Sequence, residues 1–234
     1  MCPLSCNFLG RIASPPGISL IDYPGRVAAL VFFQGCNFRC PYCHNHSLIT
    51  AGPGESDEDV LSRLREMRRL ADALVITGGE PTWGEGLIPF IEKAAGLGYQ
   101  VKLDTNGSRP GLLEELLDRS CLAYVAMDLK HTPEKYPEAC GVQADLDDIR
   151  RSVEIIREKA PAYEYRTTLV PGMHTAEDVS EIIRSFSLGE GTPYFLQKYI
   201  PREGTGFPAW GLKEWQEMTA VFRPLAHIGI REDL

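Results

Sequence analysis

Two periodicities alternate along the chain. Short runs of apolar, β-branched and aromatic residues are typical of buried strands, and the longer stretches between them repeat apolar residues every three or four positions. The short runs predict six strands, at residues 27–33, 73–77, 100–104, 123–128, 163–170 and 194–200. The longer stretches predict six helices, at residues 57–70, 87–97, 111–119, 146–159, 176–185 and 212–222. Ser56 is predicted to cap the first helix, because three acidic residues follow it in the first turn.

Alternating strands and helices are typical of a parallel sheet covered by helices. With right-handed crossovers, six such units form part of an α/β barrel rather than the complete eight-unit barrel. We therefore predict an α/β fold, an incomplete (βα)6 TIM-like barrel. Because no repeat or linker divides the chain, we expect residues 17–234 to form one domain after an N-terminal extension, residues 1–16.

Charge and cysteine content narrow the function. The 234 residues include 24 Lys and Arg against 32 Asp and Glu, a formal net charge of -8, which argues against nucleic acid as the main partner. No apolar run is long enough to span a bilayer and the first residues lack a signal-peptide pattern, so no membrane partner is expected. Seven cysteines without disulfide-like spacing indicate a reducing cytoplasm, where thiols more often bind metals or catalyse reactions.

The unusual residues all follow predicted strands. After the first strand comes QGCNFRCPYCHN, residues 34–45, called the cysteine loop below. The second, third and fourth strands are followed by TGGEPT (77–82), DTNG (104–107) and DLK (128–130). Parallel α/β sheets place their active sites at the C-terminal ends of the strands, so we expect these segments to build the functional site.

Three cysteines, Cys36, Cys40 and Cys43, lie within eight residues of the cysteine loop. Three thiolates in a tight loop can bind three corners of a four-iron, four-sulfur cubane and leave the fourth iron without a protein ligand. An iron with an open position can bind a substrate or cofactor directly. The alternative is a closed zinc site with His44 as fourth ligand, although adjacent residues rarely reach one metal together.

The spacing of these cysteines, with the aromatic Tyr42 just before the last one, resembles the signature of radical S-adenosylmethionine (SAM) enzymes. The resemblance implies that Cys36, Cys40 and Cys43 hold one 4Fe-4S cluster. It also implies that the amino and carboxylate groups of SAM chelate the open iron and that Tyr42 contacts SAM. The missing fourth position then belongs to the cofactor.

A second motif, Gly78, Gly79 and Glu80, resembles the Gly-Gly-Glu turn with which this family contacts the SAM amino group. Two glycines allow the main chain to come close, and a carboxylate faces a cation. Within the family, the chain most resembles the glycyl radical enzyme activases, above all the activating proteins of anaerobic ribonucleotide reductase. This branch is favoured by the lead-in Asp-Tyr-Pro-Gly (22–25), by the Cys-His-Asn end of the cysteine loop, and by DTNG and MDLK. The similarity covers about residues 17–199.

Five further residues receive roles from the same resemblance. Asp104, Thr105 and Asp128 are expected to help build a cation site beside the SAM carboxylate. Lys130 is expected to pair with that carboxylate, and Arg166 to lie near the cofactor. Ordinary structure offers alternatives: Asp104 would cap the turn that follows it. Asp128 and Lys130 would form a surface ion pair, and Arg166 would be an exposed strand residue.

The resemblance implies an enzyme, a radical SAM oxidoreductase. An electron from a flavodoxin or ferredoxin-type donor would cleave SAM to methionine and a 5'-deoxyadenosyl radical, which takes hydrogen from a glycine of a glycyl radical enzyme. Two alternatives remain open. One is a radical SAM enzyme acting on a small molecule, such as a 7-carboxy-7-deazaguanine synthase. The other is a zinc-stabilised binding module, which the placement of the motifs at strand ends disfavours.

The chain departs from some activases in its late strand. Where those enzymes carry a histidine near SAM, this sequence offers Gln197, Lys198 and Tyr199. The loop that follows is rich in Gly and Pro and suits a surface along a partner protein better than a sealed pocket. Cys2 and Cys6 lack a third neighbouring cysteine, so we expect an incidental N-terminus. No partner pattern accompanies the remaining cysteines and histidines, Cys121, Cys140, His131, His174 and His227, and the two cysteines are predicted to be packing residues.

Overall fold

The structure is a computed structural model and describes residues 12–232. Within these residues the strands are β1 (Gly17–Ser19), β2 (Ala28–Phe33), β3 (Ala73–Gly78), β4 (Gln100–Thr105), β5 (Tyr124–Asp128), β6 (Tyr163–Leu169), β7 (Tyr194–Lys198) and β8 (Ile228–Arg231). The α-helices are α1 (Asp57–Met67), α2 (Leu87–Gly96), α3 (Pro110–Asp118), α4 (Tyr136–Cys140), α5 (Leu146–Lys159), α6 (Ala176–Ser185) and α7 (Leu212–Ala220). Two short 3-10 turns are also present, His46–Leu48 and Pro81–Trp83.

Every predicted strand and helix is present, with ends shifted by at most three residues. Ser56 caps α1 as predicted, because its Oγ accepts the main-chain N–H of Asp59 at 3.2 Å. The sequence analysis missed β1, β8 and α4. These elements have three, four and five residues, too few for a periodic pattern to show.

The strands form a sheet in the order β1 to β8. β1 runs antiparallel to β2, and the pairs β2–β3, β3–β4, β5–β6, β6–β7 and β7–β8 are parallel. The α/β fold with its six predicted strand and helix units is therefore confirmed, and β8 adds one more parallel strand. A helix connects each strand from β2 to β7 with the next one, as a parallel sheet requires.

Contacts divide the described chain into two compact units. The first comprises residues 12–37, 45–103 and 120–123, and the second comprises residues 38–44, 104–119 and 124–232. In the first unit, the rings of Phe33 and Phe90 pack edge to face with centroids 5.6 Å apart. Ile12 is fully buried and bridges Phe33 and Glu55, which attaches the last residues of the predicted extension to this unit. Cys2 and Cys6 lie outside the described residues.

Buried aromatic residues form the core of the second unit. Trp215, Tyr165 and Tyr194 are fully buried. The hydroxyl of Tyr165 donates to the carbonyl oxygen of Val153 at 2.7 Å, and that of Tyr194 donates to Thr167 Oγ1 at 2.7 Å. These bonds compensate the cost of burying two phenols. None of the helices in residues 12–232 combines the length and apolar character needed to cross a membrane.

Candidate cofactor site

The cysteine loop follows β2 and carries three half-buried cysteines that form no disulfide, Cys36, Cys40 and Cys43. Its first part is held by the main-chain N–H of Cys36, which donates to the Ile49 carbonyl oxygen at 3.2 Å. Its second part is a turn in which the N–H of Cys43 donates to the Cys40 carbonyl oxygen at 3.2 Å. Main-chain bonds therefore shape both parts of the loop.

The end of α4 supports the second part of this loop. The N–H of Arg39 donates to the Cys140 carbonyl oxygen at 2.8 Å. The next residue, Gly141, has φ +70°, and a Cβ added there would lie 2.2 Å from the Arg39 carbonyl oxygen. Only glycine therefore fits at this position, which lets the α4 end lie directly against the main chain before Cys40. Cys140 is buried, and its thiol lies 3.1 Å from the Val142 carbonyl oxygen.

The donor set fits an iron-sulfur cluster. In residues 12–232, no group of three or more His, Cys, Asp or Glu side chains is gathered as the ligands of one metal ion. A cubane takes one thiolate for each iron, so its ligands are spread around the cluster rather than converging on a point. Three accessible thiols in one short loop meet that requirement. His44, the fourth ligand in the zinc alternative, packs its ring against Tyr199 with centroids 5.6 Å apart.

The Gly-Gly-Glu turn at the end of β3 lies against the main chain of Phe33 and Gly35. The N–H of Gly79 donates to the Phe33 carbonyl oxygen at 2.8 Å, and the N–H of Glu80 donates to the Gly35 carbonyl oxygen at 2.8 Å. A Cβ on Gly78 would lie 2.3 Å from Phe33 O, and one on Gly79 would lie 2.2 Å from Gly35 O. The two glycines thus allow this turn to approach the start of the cysteine loop. The sequence analysis had explained the two glycines only by a close approach to SAM.

Glu80 is nearly fully buried and caps the 3-10 turn that follows. Its Oε1 accepts the Thr82 hydroxyl at 2.6 Å and the Thr82 main-chain N–H at 3.1 Å.

The side chain of Asn45, the last residue of the cysteine loop, donates to the Gly78 carbonyl oxygen at 3.1 Å. Asn45 is a positioning residue that the sequence analysis missed, although it had noted the Cys-His-Asn end of the loop.

In the second unit, four of the predicted residues form one charge network. Arg166 Nε donates to Asp128 Oδ1 at 2.8 Å, and Arg166 Nη1 lies 3.5 Å from Asp104 Oδ2. Lys130 Nζ donates to the other Asp128 oxygen at 3.1 Å. The Arg166 side chain is only 12% exposed, so it is not the exposed strand residue of the alternative interpretation. The pair of Asp128 and Lys130 is likewise part of a network and not an isolated surface ion pair.

Asp128, Lys130 and Arg166 are charged at neutral pH. Burial would raise the pKa of Asp128, but Arg166 and Lys130 outweigh it and hold that pKa well below its ordinary value. Burial would lower the pKa of Lys130, but Asp128 and Cys40 raise it well above the ordinary value. Burial would also lower the pKa of Arg166, which Asp104 and Asp128 raise instead. Lys130 is therefore an ammonium whose charge interacts with Asp128 and with Cys40 of the cysteine loop.

Near the end of β4, Thr105 supports the following turn and Asp104 pairs with Arg166. Thr105 is buried and its Oγ1 accepts the N–H of Gly107 at 3.1 Å, while Asn106 Oδ1 accepts the N–H of Ser108 at 3.0 Å. The side chains of Thr105 and Asn106 thus support the turn that the alternative interpretation assigned to Asp104. Asp104 pairs with Arg166.

Comparison with known proteins identifies the family. The sequence profile described as the Radical SAM superfamily matches residues 30–186, which include the cysteine loop and the charge network. The chain belongs to the radical SAM superfamily. This superfamily uses a 4Fe-4S cluster and SAM, in agreement with the predicted cofactors, and the binding of the cluster by Cys36, Cys40 and Cys43 stays a prediction.

The similar relatives include activating enzymes. A Methanocaldococcus jannaschii protein named "putative glycyl-radical enzyme activating enzyme" is 33% identical over 192 residues, 80% of this chain and 78% of its own length. The pyruvate formate-lyase-activating enzyme of Clostridium pasteurianum is 32% identical over 188 residues, 76% of this chain and 75% of its own length. These matches support the activase branch of the radical SAM superfamily.

Two further comparisons bear on the fold and on the alternative function. A 7-carboxy-7-deazaguanine synthase of Methanopyrus kandleri is 28% identical over 206 residues, 70% of this chain and 79% of its own length. The crystal structure of a radical SAM methyltransferase from Sphaerobacter thermophilus superposes with a TM-score of 0.71 at 14% identity, over 89% of this chain and 67% of that chain. At that identity the superposition shows the radical SAM fold alone.

Tyr42, the aromatic residue of the radical SAM signature, is buried. It packs with Ala139, Val170 and Tyr199, and its hydroxyl has no hydrogen-bond partner within the described part of the chain. Burial raises the pKa of this phenol well above its ordinary value, although Lys130 opposes the shift. In the structure Tyr42 is thus a packing residue of the cysteine loop, and its contact with SAM stays a prediction.

The sequence analysis missed the carboxylate that completes the charge network. Glu164 is 1% exposed, accepts two bonds from Arg231 at 2.7 and 2.9 Å, and accepts the hydroxyl of Tyr124 at 2.9 Å. Its Oε1 lies 3.9 Å from Arg166 Nη1. The signal was available in β6, because residues two apart on a strand share a face and Glu164 lies two residues before Arg166. Arg231 lies on β8, which the sequence analysis did not predict.

Two histidines to which the sequence analysis assigned no partner are partners of each other. The rings of His131 and His174 stack with centroids 4.5 Å apart and planes 16° apart. Neither is more than 3% exposed. In the late strand, Tyr199 is buried beside His44 and Lys198 lies over the Trp215 ring at 5.7 Å.

Proposed function

We propose that this chain is a glycyl radical enzyme activase. With a 4Fe-4S cluster and SAM, it removes a hydrogen atom from a glycine Cα of a partner enzyme, and that partner is an anaerobic ribonucleotide reductase. The observation that carries the proposal is Lys130, a half-buried ammonium whose charge interacts with Asp128 and with Cys40. A cation at this position suits a cofactor carboxylate bound beside the cluster. The activating enzymes among the similar relatives support the class of substrate.

The chain's residues bind the cofactors in separate roles. The thiolates of Cys36, Cys40 and Cys43 would hold the cluster. When bound, the cluster and SAM supply the one-electron chemistry, which no side chain can provide. Lys130 holds the SAM carboxylate, and Glu80 faces the SAM amino group. A flavodoxin or ferredoxin-type protein is the proposed electron donor.

Arg166 has a positioning role in this proposal. Its guanidinium keeps Asp128 oriented, so that the second Asp128 oxygen can hold Lys130.

The proposed cation beside SAM would share the oxygens of Asp104 and Asp128 with Arg166. A dependence of SAM affinity on added potassium or magnesium ion supports this ion site, and equal affinity in all salts would remove it.

The loop after β7 suits a partner surface. Trp210 Nε1 donates to the Leu169 carbonyl oxygen at 2.7 Å, and the ring of Phe207 packs on Tyr199 with centroids 6.2 Å apart. Arg202 and Glu203, at the other end of the loop, are exposed. A loop fixed by its aromatic residues and exposed elsewhere can contact a partner without a large ordering cost.

Transfer of a label tests the assignment. The reduced, cluster-loaded protein is mixed with SAM and with an anaerobic ribonucleotide reductase that carries deuterated glycine. We expect deuterium in the 5'-deoxyadenosine product, measured by mass spectrometry. A reductase whose radical-bearing glycine is replaced by alanine is the control and should give unlabelled product. Unlabelled product with both reductases would contradict the proposed partner.

The second candidate is a small-molecule radical SAM enzyme. The similarity to a 7-carboxy-7-deazaguanine synthase over 70% of this chain favours it. In that case deuterium from a labelled pterin, and not from a protein glycine, should appear in the 5'-deoxyadenosine. The same assay therefore separates the two candidates.

A further inference from the structure

His131 and His174 connect the segment that carries Lys130 to the turn after β6. His174 Nε2 lies 3.0 Å from the Lys130 carbonyl oxygen. In the opposite direction, His131 Nε2 lies 2.9 Å from the Met173 carbonyl oxygen. Each ring therefore reaches from its own segment to the main chain of the other. We call these two residues the histidine pair.

The main chain defines which ring nitrogen carries the proton. The N–H of Thr132 donates to His131 Nδ1 at 2.7 Å, and the N–H of Val170 donates to His174 Nδ1 at 3.1 Å. A nitrogen that accepts a hydrogen bond carries no proton, so each neutral ring has its proton on Nε2. Both Nε2–H groups then donate to the carbonyl oxygens across the pair. Every ring nitrogen of the pair thus has a partner.

The surroundings agree with a neutral His174 ring. Burial lowers the pKa of His174 to about 4. The nearest carboxylate, Asp178, has one oxygen 4.0 Å from His131 Nε2, which is too far for a hydrogen bond. Asp178 is already bound by Lys135 at 2.9 Å and by the N–H of Thr175 at 2.9 Å. Tyr42 meets His174 edge to face, with centroids 6.4 Å apart.

The pair acts on Lys130 through its main chain. The Lys130 carbonyl oxygen is held by His174, while its ammonium is held by Asp128. Asp128 is in turn held by Arg166, on the strand that leads to the turn with Val170 and His174. The side chain and the main chain of Lys130 are therefore tied to the same structural element, and burial prevents water from replacing the histidine bond.

We propose that His131 and His174 are positioning residues that hold Lys130 in place for the carboxylate of SAM, each through its Nε2–H group. The inference rests on the proposed role of Lys130 in SAM binding. It assigns a function to two buried histidines that meet the main-chain oxygens of Lys130 and Met173. A histidine that only filled space would not need a proton on a particular nitrogen.

Matched amide variants test the Nε2–H bond. In His174→Gln the amide can reach the position of Nε2 and donate to the Lys130 carbonyl oxygen, whereas in His174→Asn it can replace only Nδ1. We expect His174→Asn to weaken SAM binding about tenfold, as for one lost buried hydrogen bond, and His174→Gln to bind within about threefold of the wild type. The affinity of the cluster-loaded protein for SAM is measured by calorimetry, with iron content as the control for cluster loading.

A double-mutant cycle separates positioning of Lys130 from general loss of structure. In a Lys130→Ala background, His174→Asn should have no further effect on SAM affinity, because the residue that it positions is absent. A tenfold loss in both backgrounds would overturn the inference. So would wild-type affinity of His174→Asn when Lys130→Ala alone weakens binding. Wild-type affinity of Lys130→Ala would instead refute the proposed role of Lys130, and the inference would fall with it.

A measurement on the wild-type protein needs no variant to fold. Nitrogen NMR of ¹⁵N-histidine-labelled protein at neutral pH should show two buried rings protonated on Nε2 and accepting at Nδ1. A proton on Nδ1 of either ring, or a doubly protonated ring, would overturn the inference.

Discussion

Lys130 combines three interactions that a lysine on a protein surface lacks. Its ammonium donates to Asp128, its charge interacts with Cys40, and its carbonyl oxygen is held by His174. Asp128 and Lys130 could be paired from the sequence, because residues two apart on an extended chain share a face. The contribution of His174, 44 residues away, could not be found from the sequence, because a single histidine has no periodicity and its partner is a main-chain oxygen.

Removal of the Lys130 charge should weaken SAM binding without loss of the cluster. For Lys130→Met we expect a loss of roughly 1.5 to 3 kcal/mol in SAM affinity, typical of a charged hydrogen bond. Lys159→Met is the matched control, because Lys159 pairs with Glu114 and Asp118 outside the charge network, so SAM affinity should stay unchanged. Calorimetric titration of both cluster-loaded variants gives the comparison. Equal affinities would show that Lys130 does not meet the cofactor.

Glu80 allows its charge to be tested apart from its capping role. Glu80→Gln keeps an oxygen that can accept both bonds from Thr82, so the 3-10 turn Pro81–Trp83 should persist and the Tm should stay close to the wild-type value. The negative charge for the SAM amino group is lost, so SAM affinity should fall by roughly 1.5 to 3 kcal/mol. A variant that loses stability but keeps SAM affinity would make Glu80 a structural cap only.

His174 should make stability depend on pH. In the folded protein burial lowers its pKa to about 4, whereas the unfolded chain binds the proton below about 6.5, the ordinary histidine value. Between these values protonation favours the unfolded state, so stability should fall by up to ~3 kcal/mol as the pH drops from about 6.5 to about 4. Above about 6.5 both states are neutral and this dependence vanishes. Urea unfolding of the wild type and His174→Gln over this range should show a smaller decrease in the variant; parallel curves would contradict the assignment.

The main elements follow from the sequence because each has a strong local pattern. α5 has an acidic cap and an apolar stripe, and β3 is an unbroken apolar run, so both could be predicted within a residue or two. α4 could not, because a five-residue helix is formed by its contacts and not by its periodicity. α4 also supports the cysteine loop. Part of the candidate site therefore depends on a helix that could not be predicted from the sequence pattern.

Gly141 at the end of α4 tests that support. In Gly141→Ala the new Cβ would overlap the Arg39 carbonyl oxygen and the residue would keep a positive φ, which costs roughly 1–2 kcal/mol before any contact is counted. We expect a lower Tm and less iron retained per chain after anaerobic reconstitution. Gly111→Ala, in α3 with no atom within 4 Å of its added Cβ, is the control and should retain iron as the wild type does. Equal iron content in both variants would show that α4 does not position the loop.

At the scale of the whole molecule, the acidic charge argues against nucleic acid as the main partner, and the predicted motifs lie at the C-terminal ends of strands. The family match and the similar activating enzymes agree with the resemblance found in the cysteine loop. The partner protein could not be derived from the fold, because the radical SAM fold carries many reactions. Its identity depends on the loop surfaces, such as the exposed end of the loop after β7, whose sequence has no periodic pattern.

Electron paramagnetic resonance tests the proposed activity most directly. The reduced, cluster-loaded protein is mixed anaerobically with SAM and an anaerobic ribonucleotide reductase, and the spectrum is recorded. We predict the doublet of a glycyl radical, and its loss when the radical-bearing glycine of the reductase is replaced by alanine or when Cys40 of this chain is replaced by alanine. SAM binding to this chain should be unchanged in the glycine variant mixture. No doublet with this reductase or any other glycyl radical enzyme, under conditions in which SAM is cleaved, would contradict the proposed activity.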